Sequence, residues 1–450
     1  MRQDHPASTS RRELIKQTGR VAATSALAGV AVPLVHAAED NTIRLAIVGC
    51  GGRGTGAVAN ALSTPHGPVK LVAMADLFQD RIDSCHKSLS GQFGGLIDVP
   101  PERRFLGFDA FQKAIDCLKP GDVVLLTTHA AFRQVHMAYA VAKGINIFME
   151  KTFAPDPGGV QNVLKTGEEA KRKGVKVACG LMCRHSVARQ ALINRIRDGA
   201  MGQIELIRAN RMGGSAAMGP AKPGPGELLA QIRAAYFYFW ASSGMFIEMN
   251  IHQIDECCWI KDSYPVSAHG VGGRAPYSTN CSQNLDTYDV EYTFGDGTKA
   301  LVIGRYQDRC FNEFATYVHG TKCAGQFSGN IHAATVHTYK DQRISPHNIS
   351  WKADREPCDP WQAEWNDLLA AIRHDRPYNE VRRSALSNMA ALMGRAAVHT
   401  GNIVTWEEMM SSHFQFYPDV ASLRADSPAP VHCDAQGRYA VPVPGSWTEV

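Results

Sequence analysis

Short apolar runs alternate with longer amphipathic stretches through the first half of the chain. Residues 42–48 form a β-branched run that reads as a strand buried on both faces. Similar runs recur at 69–75, 122–127, 145–149 and 175–179. Helix-compatible stretches lie between them at 57–62, 108–118, 132–143 and 157–173, and Gly144 and Gly174 close the last two as C-caps. This rhythm predicts a doubly wound parallel sheet in an α/β protein. Past residue 180 the pattern changes. A helix at 187–198 and an alternating strand at 204–212 precede a Gly/Pro/Ala-rich loop at 213–226. An aromatic run at 236–240 follows, then an apolar helix at 242–255. Residues 266–271, 287–294, 299–306, 313–319 and 321–327 read as strands of a mostly antiparallel sheet. Helices at 361–374 and 384–399 come next, and the proline-rich stretch 418–450 reads as irregular.

The chain has 450 residues, enough for two or three domains, and 44% of them are hydrophobic. A net charge of +4 gives no reason to expect nucleic-acid binding. No run of eighteen apolar residues occurs, so stable membrane insertion is not expected. The N-terminus adds a different signal. Ser10-Arg11-Arg12-Glu13-Leu14-Ile15-Lys16 precedes an alanine-rich, charge-poor stretch at 21–35, which ends in Val35-His36-Ala37-Ala38. This reads as a twin-arginine export signal over 1–37, with the Tat machinery as partner and a periplasmic or otherwise exported destination. The twelve cysteines show no CxxC framework, so no metal site is expected. An exported chain could still oxidise some of them.

The chemistry collects at strand ends. Gly49-Cys50-Gly51-Gly52-Arg53-Gly54 is a G-x-G-x-x-G loop directly after the first strand. Gly49, Gly51, Gly52 and Gly54 allow a tight turn and a close approach to a pyrophosphate, and the helix that follows offers it unpaired N–H groups. Asp76 ends the second strand, at the spacing expected of an acid that binds the adenosine ribose hydroxyls. Its charge would repel a 2′-phosphate, which favours NAD over NADP. Ligands of such sheets bind beyond the strands' carboxyl ends, which puts Thr128, His129, Glu150 and Lys151 on the cofactor edge. Lys151 is placed to hold a substrate hydroxyl and move its proton, with Glu150 pairing with it or with the cofactor. On the helix at 242–255, Glu248 and His252 are four apart on one face, and Asp255 lies three further along. A carboxylate there would fix the His252 tautomer and raise its pKa.

Together these features resemble the Gfo/Idh/MocA oxidoreductase family, over roughly residues 42–410. The resemblance rests on the glycine loop with Asp76, on residues 127–136, on Met149-Glu150-Lys151 in place of the family's Glu-Lys-Pro, and on residues 244–255 in place of its Asp-x-x-x-His helix. The ending at 400–409 also matches. It implies an N-terminal Rossmann domain over 42–180 and a C-terminal α/β domain with a large, mostly antiparallel open sheet over 181–410, followed here by an irregular extension at 411–450. It implies Lys151 and His252 as proton-transfer residues, with Glu248 orienting or sharing that role. His136 and Arg53 fall within the cofactor motifs. Arg184 matches a segment at the domain junction and, with Asn250 and Asp255, would face substrate. Three positions depart from the family pattern: Thr152 replaces proline, Glu248 replaces aspartate, and Asn250 stands where glycine is common. The expected substrate is a sugar, polyol or glycoside, and the expected assembly includes dimers or tetramers.

An exported nicotinamide enzyme meets no free cofactor pool, so its NAD must be held tightly and regenerated in place. Hydride exchange between two sugars does this. A redox-neutral glycosidase, which oxidises, eliminates, hydrates and reduces in turn, is the alternative. A third reading is a cofactor-bound sugar-binding protein without turnover, but Lys151 and His252 speak against it, since neither is needed to hold NAD.

Overall fold

The computed structural model describes residues 41–450 except 215–216, 225, 276–277 and 328–334, so the signal read over 1–37 lies outside the described residues. The first sheet holds six parallel strands: β1 (Ile43–Val48), β2 (Val69–Asp76), β3 (Arg104–Leu106), β4 (Val123–Leu126), β5 (Asn146–Met149) and β6 (Val177–Cys179). Their order is β3-β2-β1-β4-β5-β6. The strands β1, β4 and β5 are almost wholly buried, which explains their unbroken apolar runs. Helices α1 (Gly52–Leu62), α2 (Gln79–Phe93), α3 (Ala110–Ile115), α4 (Ala130–Ala142) and α5 (Pro157–Arg172) connect them. Neither α2 nor β3 was anticipated from sequence. Helix α2 buries only Ile82, Cys85 and Leu89, a stripe too thin to stand out. Chain direction across the sheet reverses between β1 and β4, and a ligand crevice opens beyond their carboxyl ends.

The second sheet has nine strands: β7 (Ile204–Met212), β8 (Ser267–Gly273), β9 (Thr287–Thr293), β10 (Lys299–Arg305), β11 (Glu313–Gly320), β12 (Ala324–Phe327), β13 (Val336–Tyr339), β14 (Ile349–Lys352) and β15 (Val404–Thr405). They run in the order β14-β13-β12-β11-β7-β10-β9-β8-β15. Only the β7–β10 pair is parallel. Buried and part-exposed residues alternate along β9 and β10, as expected for a sheet covered on one face. The remaining helices are α6 (Val187–Arg197), α7 (Glu227–Arg233), α8 (Phe239–Ser242), α9 (Met245–Lys261), α10 (Pro360–Arg373), α11 (Val381–Thr400) and α12 (Trp406–Ser411). Helix α9 lies between α11 and the strands β7 and β10 and is buried on nearly every side.

The C-terminal stretch is irregular, as expected, yet firmly anchored. Glu449 is fully enclosed and accepts hydrogen bonds from Arg395 Nε at 3.0 Å and Trp447 Nε1 at 2.9 Å, and it meets His399 Nδ1 at 3.1 Å. Glu227 of α7 is bound the same way by Tyr439 at 2.8 Å and His432 at 3.0 Å. All twelve cysteines are free thiols. Among the described residues, no helix is long and apolar enough to cross a membrane.

Candidate active site

A cavity of about 940 Å³ opens at the carboxyl edge of the first sheet. Its walls include the glycine loop, Asp76, Thr128, His129, His136, Glu150, Lys151, Tyr236 and Glu248. The volume lies at the upper end of the range for small-molecule and cofactor sites.

The glycine loop has its shape for steric reasons. Gly49 sits at φ +104°, and a Cβ there would meet the Thr127 and Thr128 backbone at 2.8 Å. A Cβ on Gly54 would lie 2.3 Å from the Gly49 carbonyl, so α1 packs against the strand only if that position lacks a side chain. The Thr127 hydroxyl donates to the same Gly49 carbonyl at 2.5 Å. Helix α1 then begins at Gly52 with no side-chain cap and no acidic residue in its first turn. Its first amides are therefore available to an anion, which suits a pyrophosphate. Asp76 accepts the Cys50 amide at 2.6 Å and the Phe78 amide at 2.9 Å, tying the β2 end to the loop. Burial raises its pKa above the ordinary carboxylate value, against the pull of those amides and of Arg81.

The β4 edge is braced by an arginine that the sequence did not single out. Arg133 on α4 is buried and donates to the Leu126 and Thr128 carbonyls. His136 stacks on Phe111 with ring centroids 4.2 Å apart, and its Nδ1 meets the Thr128 hydroxyl at 3.2 Å. Burial and then Arg133 lower its pKa to about 3. His129 caps α4 and is likewise lowered to about 4, by burial and then by Arg81 and Arg133. Both histidines are neutral at physiological pH and bring hydrogen-bonding edges without charge.

Glu150 turns under the β5 end and forms an ion pair with Arg53 of the glycine loop, Nε to Oε1 at 2.9 Å. Lys151 instead reaches across to α9. Its Nζ donates to the Glu248 carboxylate (Oε2) at 2.9 Å and to the Glu248 backbone carbonyl at 2.9 Å. Burial opposes the ammonium, but Glu248, Tyr236 and Glu150 together outweigh it, and the Lys151 pKa lies above the ordinary lysine value. Of three N–H donors, two are committed and the third remains for the cavity, into which a fifth of the side chain is exposed. The Lys151–Thr152 peptide is cis.

The turn before α9 sets Glu248 in register. Ser243 adopts φ +86°, a strained conformation for a residue with a side chain. It is held by Arg395 Nη1 on its carbonyl at 2.8 Å and by its own hydroxyl on the Ala154 carbonyl at 3.1 Å. Arg395 Nη2 and Asn388 Nδ2 also donate to the 154–155 backbone, so α11 fixes the segment after Lys151 against the start of α9.

The geometry departs from what was expected of Glu248, His252, Arg184, Asp255 and Asn250. Glu248 does not orient His252, because its carboxylate is taken by Lys151 and Thr152. The Nδ1 of His252 is buried without a partner, and burial followed by the Lys151 charge lowers its pKa to about 3 rather than raising it. His252 lies one helical turn after Glu248 and is not among the residues that line the cavity. Arg184 and Asp255 bind each other through two bonds of 2.8 Å, and Ser387 adds a third bond to Asp255 at 2.7 Å. Asn250 is fully buried; it accepts from the Tyr306 hydroxyl at 2.7 Å and donates to the Ile303 carbonyl at 3.3 Å. None of these three faces the cavity.

Tyr236 is the wall residue that sequence reasoning did not assign. It heads the aromatic run, and it alone among residues 236–240 combines 48% exposure with a place on the cavity wall. Its ring meets His129 edge-on at 5.9 Å. The Glu248 charge, then burial, raises its pKa above the ordinary phenol value. Trp240 and Phe239 are core. Among the described residues, no cluster of His, Cys, Asp or Glu could hold a metal ion.

No protein-family model matches the chain, and no curated protein does. Solved structures do. An aldose-aldose oxidoreductase from Caulobacter crescentus, complexed with glycerol, matches 81% of this chain and 99% of its own, at 16% identity and a TM-score of 0.62. A myo-inositol 2-dehydrogenase from Lactobacillus plantarum matches the same shares at 18% identity and a TM-score of 0.60. A scyllo-inositol dehydrogenase from Lactobacillus casei, solved with bound NAD(H) and scyllo-inositol, does so at 19% and 0.59. These are oxidoreductases of Gfo/Idh/MocA type. At this identity the likeness establishes a common fold: a Rossmann-like parallel sheet joined to a mostly antiparallel one.

Proposed function

We propose that this protein is a nicotinamide-dependent oxidoreductase that moves a hydride between NAD and a carbon of a sugar or polyol. The observation that carries the reading is the Lys151–Glu248 pair, which opens into the same cavity as the glycine loop and Asp76. The fold shared with the inositol dehydrogenases supports it. The uncapped α1 N-terminus fits the pyrophosphate, and Asp76 fits the adenosine ribose of NAD. Thr128, His129 and His136 would line the cofactor's path along the β4 edge. When bound, the nicotinamide supplies the hydride-accepting carbon. The protein does the rest. Tyr236 gives the substrate a face to pack against, and the free Lys151 donor fixes the reacting hydroxyl.

We further propose that the chain is exported in its folded state by the signal at 10–37, which would require the cofactor to travel inside it. Protein made with its signal intact should release NAD on denaturation, identifiable by spectrum and mass. NADP as the main species would contradict the role given to Asp76. Arg11→Lys with Arg12→Lys should keep the protein in the cytoplasm; unaltered secretion of that variant would contradict the export reading.

A further inference from the structure

Thr152 stands against the working pair, at the position where the resemblance leads to proline. Its Oγ1 lies 3.2 Å from Oε1 of Glu248 and 3.2 Å from the backbone carbonyl of Ser242. The Ser243 hydroxyl is also near, at 3.5 Å, but it is directed at the Ala154 carbonyl at 3.1 Å. A threonine hydroxyl has one hydrogen. Here that hydrogen faces two acceptors at equal distance, in a residue only 1% exposed. A carboxylate attracts it more strongly than a carbonyl does. A protonated carboxyl no longer does, and the hydrogen then has the Ser242 carbonyl to turn to.

Lys151 imposes a matching requirement. Its Nζ is an ammonium and can take a proton only by giving one up. The acidic oxygen it touches is Oε2 of Glu248. His252 is not among the residues that line the cavity, and no hydrogen bond joins it to Lys151.

We propose that Thr152 is a positioning residue that makes Glu248 the proton acceptor behind Lys151. This rests on the oxidoreductase reading above. As the substrate alcohol is oxidised, its carbon-bound hydrogen leaves with its electron pair to the nicotinamide of that reading. The substrate O–H bond breaks and an N–H bond forms on Lys151. A second N–H bond of Lys151 breaks and an O–H bond forms on Oε2 of Glu248. Lys151 ends as it began, an ammonium, and Glu248 ends as a carboxylic acid beside a new carbonyl compound. The Thr152 hydrogen swings from Oε1 to the Ser242 carbonyl as Glu248 loses its charge. Neither protonation state leaves a buried donor without a partner, and this is the hydroxyl's contribution. The same transfers in reverse accompany reduction. Tyr236, Glu150, Arg133 and His252 also act electrostatically on the pair, and they are unchanged in the comparison below.

Thr152→Val keeps the side-chain shape and removes the hydroxyl, whereas Thr152→Ser keeps the hydroxyl. Thr152→Ala repeats the test if valine does not fit. The holoproteins are titrated by infrared difference spectroscopy on the protonated-carboxyl band, assigned with Glu248→Gln. Thr152→Val should raise the Glu248 midpoint by about one pH unit, because a hydrogen bond to the charged form is lost. Thr152→Ser should stay near the parent protein. With a panel of polyols and aldoses, Thr152→Val should lower kcat about tenfold on the acidic limb, the fold-change of a one-unit shift, and leave KM within about twofold. The acidic limb of its pH profile should move upward with the midpoint. An unshifted midpoint overturns the proposal, and so does a shifted midpoint with unchanged kcat. A shifted midpoint in Thr152→Val, with a parent protein that oxidises nothing in the panel, overturns the oxidoreductase reading, and the relay falls with it.

Discussion

Helix α9 carries three carboxylates that make cation pairs of nearly the same length, and two of them, Glu248 and Asp255, serve different ends. Glu248 and Asp255 are seven residues apart and so lie on one face, two turns from each other. Glu248 takes one of its oxygens to Lys151 at 2.9 Å, and both side chains line the cavity. Asp255 takes both oxygens to Arg184 at 2.8 Å, with Ser387 added and Trp259 under the guanidinium at 4.7 Å. Burial pushes the Asp255 pKa up, but Arg184 and Ser387 hold it below the ordinary value. The difference is one of spare capacity. The Arg184–Asp255 pair is closed on itself and braces α9 against the segment after β6. The Lys151–Glu248 pair keeps an uncommitted N–H donor at the cavity.

The largest effect that would test this contrast is on stability. Asp255→Ala leaves the Arg184 cation buried without its partner and should cost about 3–5 kcal/mol in urea unfolding. Lys151→Ala should cost less, because the Glu248 carboxylate it leaves behind keeps the Thr152 hydroxyl and lines the cavity. If Asp255→Ala instead kept its stability and lost substrate affinity, Arg184 and Asp255 would be site residues after all. Next in size is the converse effect on turnover. Lys151→Ala should lower kcat on the order of a hundredfold or more, with NAD still bound, because the proposed function assigns cofactor affinity to the glycine loop and Asp76. Turnover close to that of the parent protein would reduce Lys151 to an ordinary strand end.

The smallest effect concerns His252, which belongs to neither pair. Its folded pKa is about 3, below the ordinary 6.5. A histidine depressed in this way favours folding fully above its unfolded pKa, and that contribution is lost as pH falls from there towards about 3. His252→Gln should therefore flatten the acid-side decline, by about 1 kcal/mol near pH ~5.5. The His252 ring resonances should not titrate between pH ~5 and ~8. Were His252 held by Glu248, its pKa would be raised and the sign would reverse.

The cofactor side of the molecule was legible because its strands are buried on both faces and each ends in a chemically distinctive residue. The loop at 49–54 needs glycines for steric reasons, so its spacing carried real information. The substrate side was harder to read. Spacing placed Glu248, His252 and Asp255 on one helix correctly, but not their partners, which come from the β5 end, the segment after β6, and α11. A polar row on a helix buried nearly all round does not say which side chain meets a cavity. Thr152 was noticed as a departure from the family pattern, yet its meeting with Glu248, a second departure, is visible only in three dimensions. Arg133 and Arg395 gave no sequence signal, since an arginine that braces backbone carbonyls looks like any surface arginine. The strands β13, β14 and β15 were missed because they are short and none carries an unbroken apolar run like those of β4 and β6.

The central claim is that Lys151, backed by Glu248, works on a sugar or polyol hydroxyl beside bound NAD. The most direct test is to mix the purified holoprotein with polyols and aldoses and follow the near-ultraviolet absorbance of reduced nicotinamide. The parent protein should develop that absorbance within a single turnover, and Lys151→Ala, loaded with the same cofactor, should not. Equal responses from the two proteins, or a parent protein that neither carries nor binds NAD, would contradict the account.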